Sequence, residues 1–148
     1  MSRARRAFLP AAAVAAVLWG CSGIKVSNGA NRPEAGARAA VAGLAADYEG
    51  RLAERFFRRV DQEDFPNYEE FRNNVRQFLL TIRQVSLQIV VDRVLASGTG
   101  VAVDAHWNRS FVDQTGAEKI QQGTCSFIFT RAPAGVLLLA SIRGNSPF

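Results

Sequence analysis

Residues 84–107, "QVSLQIVVDRVLASGTGVAVDAHW", decide the fold. Ahead of this stretch apolar residues recur at every third or fourth position. Inside it they recur at every second, and valine and isoleucine become frequent, which marks a change from helix to strand. The "SGTG" at 97–100 is a turn signal that divides the stretch into two strands. Downstream, "KIQQGTCSFIFTR" (119–131) and "VLLLASIRG" (136–144) repeat the pattern after the turn-forming segments "DQTGAE" and "APAG". Connections this short force successive strands to run antiparallel, so a four-stranded meander is expected. On its second strand, "GVAVDAHWNRSFV" (100–112), Val101, Val103, Ala105 and Trp107 share one side; Phe127 and Phe129 supply large apolar groups from the third.

Upstream, Asn31, Pro33 and Glu34 make a helix start: a capping side chain, a preset φ and a reciprocal carboxylate. Val41, Leu44, Tyr48, Leu52 and Phe56 then follow at helical spacing, with Glu54 and Arg58 placed to pair on the exposed side. Gly43 and Gly50 each weaken this helix by up to about 1 kcal/mol relative to alanine, so it depends on packing. The "DQEDFPN" at 61–67 ends it. Asn67 and Glu70 repeat the capping arrangement ahead of a second stripe, Tyr68, Phe71, Val75, Phe78 and Ile82. Asp61, Glu63 and Asp64 lack the spacing and turn glycine of a calcium loop and read as a solvated acidic turn. The expected fold class is α+β, with two N-terminal helices packed on a curved antiparallel four-stranded sheet.

The 148 residues carry a formal charge of +5, but Arg3, Arg5 and Arg6 contribute three of the positive charges. Beyond residue 20 there remain 15 basic against 13 acidic side chains, without a basic stripe interleaved with aromatics, which argues against a nucleic-acid partner. The three arginines are followed by the apolar run "AFLPAAAVAAVLW", too short to span a bilayer, then Gly20 and Cys21. Leu18, Gly20 and Cys21 in this setting resemble the lipobox of bacterial lipoproteins. The resemblance implies a signal peptide at 1–20, cleavage before Cys21, and a diacylglyceryl group on the Cys21 sulfur. Each buried CH₂ contributes about 0.8 kcal/mol, and two or more chains make the anchoring stable. Ser22 in place of an aspartate favours the outer membrane under the sorting pattern of enteric bacteria. Residues 21–32, polar and glycine-containing, then form a tether, and 33–148 the folded domain. With Cys21 lipidated, Cys125 has no disulfide partner and reads as a small core hydrophobe.

The order of helices and strands, "VAVDAHW" with its aromatic end, the glycine ahead of F-x-F and Arg in "IQQGTCSFIFTR", and the closing "GVLLLASIRGNSPF" resemble the nuclear transport factor 2-like group of cystatin-like folds. The resemblance spans residues 41–148. It implies a curved sheet wrapped around helices, with a pocket at the wide end. The group includes ketosteroid isomerase, SnoaL-like cyclases, dehydratases and many domains without catalysis, so the fold does not fix the activity.

Candidate functional residues are few. Asp104 and His106 lie two apart on a strand, hence on one face, where a carboxylate could orient the chain's single histidine for acid–base work. If Val101, Val103, Ala105 and Trp107 face the interior, the same two residues face solvent. Tyr48 with Asp104 is the other acid–base pair to be nominated, although Tyr48 also fits the helical apolar stripe. Trp107 and Arg109, with Arg131 and Arg143 on later strands, could form an aromatic and cationic rim for an anionic ligand or for a partner's carboxylates; scattered surface arginines are the alternative. No nucleophile motif, phosphate-binding glycine loop or metal-ligand spacing is present, and no cofactor is expected. The sequence thus points to an envelope lipoprotein whose partners are the membrane, through its lipid, and an envelope complex or a small apolar or anionic ligand. An isomerase or lyase of the ketosteroid isomerase or SnoaL-like type, using Asp104 and His106, is one alternative; a structural subunit of a larger envelope complex is another.

Overall fold

The computed structural model describes residues 32–148; Cys21, the signal segment, residues 21–31 of the expected tether and the Asn31 cap lie outside the described residues, and Arg32, expected to end the tether, opens the first helix. Three helices precede four strands: α1 (Arg32–Glu49), α2 (Ala53–Phe57), α3 (Tyr68–Thr81), β1 (Ile82–Ser97), β2 (Gly100–Asp113), β3 (Glu118–Arg131) and β4 (Leu137–Gly144). The strands form one antiparallel sheet in sequence order, β1-β2-β3-β4, joined by the expected turns. The helices pack on one face, and between the two layers lies a core built around Leu44, Tyr48, Phe56, Phe127, Phe129 and Leu139. No helix among the described residues is long and apolar enough to cross a membrane.

The helical half differs from expectation in two places. The stripe from Val41 to Phe56 is not one helix. The Leu52 amide donates to the Asp47 carbonyl and the Arg51 amide to the Tyr48 carbonyl, at 2.8 and 3.0 Å, with Arg51 at φ 55°. This is a Schellman stop with its left-handed position one residue beyond Gly50, on a side chain that tolerates it poorly. The Arg51 guanidinium compensates by donating to the Leu79 carbonyl at 2.9 Å. The chain reverses here, α2 becomes a separate short helix, and Leu52 is left exposed. Glu54 consequently pairs with Arg76 on α3 and not with Arg58. The second difference is at Asn67, which makes no side-chain cap; it takes the left-handed conformation, at φ 52°, and leads into α3 through its backbone carbonyl, which accepts from the Phe71 amide at 3.0 Å. Ile82, the last residue of the second stripe, is buried but belongs to β1.

Asp61 does more than sit in a solvated turn. Its carboxylate accepts from the Glu63 and Asp64 amides at 3.3 and 3.4 Å and from the Thr130 hydroxyl at 2.8 Å, tying the acidic segment to β3. A bridge between Val60 and Leu139 closes the free edge of β4 over its middle, which removes part of an open strand edge. On β1 a register shift between Val91 and Arg93 makes Asp92 an extra residue. The shift changes which side chains face the helices: Val85, Leu87, Ile89 and Val91 point inward before it, and Val94 after it.

Candidate functional site

Strand β2 positions the site. Its inward series runs Val101, Val103, Ala105, Trp107, Arg109, Phe111, and all six are buried. The fifth is a charged residue on the apolar side of the sheet, with 8% of its surface exposed. Arg109 Nη1 donates to the Tyr48 hydroxyl at 2.8 Å and to the Pro147 carbonyl at 2.9 Å, and Nη2 donates to Gln121 Oε1. Nε has no hydrogen-bond partner among the described residues. The rings of Phe78, Phe111 and Trp107 lie 4.5, 5.6 and 5.8 Å from the guanidinium carbon. Among the described residues no side-chain carboxylate pairs with it. Burying a guanidinium without a counter-anion is costly; three neutral acceptors and three aromatic faces offset part of that cost.

Tyr48 comes from the last turn of α1. Its ring is fully buried, stacked on Phe78 and tilted against Phe56 and Phe148, so the helical stripe and the polar contact are both served by one residue. Burial pushes its hydroxyl up to about 12 against the opposing pull of Arg109, which leaves a neutral phenol accepting from a cation. Phe148 packs against Tyr48, Phe56 and Phe127 with ring centres 5.2, 4.8 and 6.0 Å apart, joining the core between helices and sheet. One of the depressions among the described residues lies beside Arg109, lined by Trp107, Arg109, Gln121, Gln122, Asn145 and Ser146. Trp107 is held there by its indole N–H, which donates to the Asn145 carbonyl at 2.9 Å. Gly123, opposite Trp107 on β3, makes room for the ring: a Cβ at that position would stand 2.8 Å from Trp107 Cζ2.

Asp104 and His106 lie on the other side of the sheet and do not pair with each other. The Asp104 carboxylate accepts from Ser126 Oγ at 2.6 Å and from Arg93 Nε and Nη2 at 2.9 and 2.6 Å; those bonds, Ser126's first, hold it below the usual carboxylate range. His106 Nδ1 is 2.8 Å from Asp92, the extra residue of the β1 bulge. Tyr48 and Asp104 are therefore separated by the sheet. The four residues of the expected rim also part company. Trp107 and Arg109 face the helices, and Arg143, across β4 from Ser126, is exposed beside the Asp104 cluster. Arg131 lies ten residues along β3 from Gln121, about 33 Å at strand spacing.

Arg109 belongs to the interior because the two-residue period that buries Trp107 continues through it. Gln121 was not singled out from the sequence, yet it is the cross-strand partner of Arg109. Counting outward from the "DQTGAE" turn would have found that pairing. No local signal marks Phe78 or Pro147 as neighbours of the guanidinium. Cys125 is buried among apolar groups, and burial pushes its thiol up to about 11, as suits a core residue.

No protein-family model and no curated protein matches this sequence. Solved structures do share its fold. A nuclear transport factor 2-like superfamily protein of Salmonella enterica aligns with a TM-score of 0.64 at 10% identity, over 74% of this chain and 87% of that one. A conserved protein of Planctomyces limnophilus gives 0.67 at 14% identity over 76% and 97%. A proposed dehydratase of the nuclear transport factor 2-like family from Streptomyces avermitilis gives 0.66 at 13% identity over 78% and 97%. The chain has the nuclear transport factor 2-like fold: α+β, with helices packed on one open four-stranded antiparallel sheet.

Proposed function

We propose that this chain is a lipid-anchored protein of the bacterial envelope whose domain is a non-enzymatic module that binds a small ligand or assembles with an envelope partner. The anchoring half of the proposal rests on the sequence: the arginine head, the apolar run and the lipobox-like Leu18, Gly20 and Cys21. For the binding half, the supporting observation is the inward-facing Arg109, held by neutral groups at the edge of a depression, with Asp104 and His106 turned to the opposite face. A cation so placed suits recognition of a ligand; the titratable group beside it, the Tyr48 phenol, is held neutral by burial at about 12 and so is a poor acid–base partner near neutral pH. The isomerase or lyase alternative draws its support from the dehydratase-named neighbour in Streptomyces avermitilis, and a likeness at 13% identity carries the fold alone.

The test is fractionation of cells expressing the full chain. Wild type is expected in the outer-membrane fraction and to take up labelled fatty acid, and Cys21→Ser is expected in the soluble fraction without label. A wild-type chain that is soluble and never labelled would end the anchoring proposal.

A further inference from the structure

We infer that the Arg109 depression is a binding site for a small carboxylate, with the side chain of Gln121 holding the ligand's place when the site is empty. This inference rests on reading the domain as a binding module and names the chemistry of what it binds. The guanidinium presents five N–H donors in one plane. Three are used, by Tyr48, Pro147 and Gln121. The Nε–H has no partner among the described residues, and Nε shares an edge of the guanidinium with Nη2, whose one acceptor there is the neutral oxygen of Gln121. That edge matches the two oxygens of a carboxylate, which accept side by side from Nε–H and Nη2–H. A carboxylate there would satisfy the orphaned donor and also supply the counter-charge that a side chain 8% exposed otherwise lacks.

The position of Gln121 makes the exchange feasible. Arg109 is buried, but Gln121 is exposed and lies at the mouth of the depression beside Gln122, Asn145 and Ser146. Its side chain can swing into solvent without disturbing the core. The amides and hydroxyl around the mouth offer donors and acceptors to the body of the ligand, and the edge of Trp107 offers an apolar wall. A phosphate is a poorer fit: its charge of about two calls for more than one cation, and the described neighbours at the mouth include no second cation.

The experiment is calorimetric titration of the full chain in detergent with sodium benzoate, with benzamide as the uncharged analogue of the same shape and inorganic phosphate as a third probe. Benzoate is expected to bind roughly tenfold more tightly than benzamide, the difference made by a charge-assisted bond. Gln121→Ala, which frees the edge, should tighten benzoate binding; Gln121→Glu, which supplies an internal carboxylate to Arg109, should abolish it while raising the unfolding temperature. Because residue 121 is exposed, both variants are expected to fold, and their melting curves verify it. Equal affinity for benzoate and benzamide would sink the carboxylate and leave a binding module. Phosphate binding as tightly as benzoate would likewise sink it. Failure of all three probes to bind wild type and Gln121→Ala would overturn both the carboxylate and the binding site itself. Undiminished benzoate binding by Gln121→Glu would show that the ligand sits elsewhere.

Discussion

Arg109 Nη1 stands 2.8 Å from the hydroxyl oxygen of Tyr48, a residue 61 positions earlier in the chain, and joins the second strand to the first helix inside the core. Replacing Tyr48 by Phe keeps the ring and its stacking on Phe78 and removes one of the two acceptors of Nη1. The expected cost is about 1–3 kcal/mol, that of leaving a buried charged donor short of a partner. Urea unfolding measures it; a variant as stable as wild type would mean that the bond contributes nothing net.

Alkaline pH should unfold the domain through two neutral acids. The Cys125 thiol is raised from 9.0 to about 11 and the Tyr48 phenol from 10.0 to about 12, both by burial. A raised folded value means that the unfolded chain releases its proton first, so stability is complete below about pH 9 and falls as pH climbs through 9 to 11 for the thiol and 10 to 12 for the phenol. Cys125→Ala is expected to delay the onset, and Tyr48→Phe to flatten the upper part of the curve. Melting temperatures measured from pH 8 to 12 check both, and superimposable curves for all three proteins would refute the assignment.

Gly123→Ala should be destabilising by about 2 kcal/mol, since the new Cβ would meet Trp107 Cζ2 at 2.8 Å and Asn145 Cβ at 3.0 Å. The indole must move, and its bond to the Asn145 carbonyl is expected to break with it. Red-shifted Trp107 emission together with a lower urea midpoint is the expected outcome.

Asp47 is buried, with Arg59 Nε at 2.6 Å and Arg55 Nε at 3.2 Å. Losing one cation leaves a buried carboxylate underpaired, and the closer partner matters more. Arg59→Ala should cost about 3 kcal/mol. Arg55→Ala, at a side chain 57% exposed, should cost less than about 1 kcal/mol. Chemical denaturation of the two variants side by side would contradict this if their order were reversed. The same contact explains Gly43, where a Cβ would come within 2.7 Å of the Arg59 guanidinium.

Much of this protein is local and therefore written in the sequence. The four strands, their turns and the inward set on β2 follow from alternation and from glycines at 98, 116 and 135, all at positive φ. The break between α1 and α2 was hidden because the apolar spacing continues through it, while the stop is made by backbone bonds around Arg51. The bulge at Asp92 was hidden too: an extra residue changes the facing of β1 without changing its composition. Period alone places Arg109 on the buried side. Only the tertiary structure decided what meets it there, because Tyr48, Phe78, Gln121 and Pro147 come from four separate segments, and a guanidinium's partners are chosen by distance in space and not by spacing along the chain.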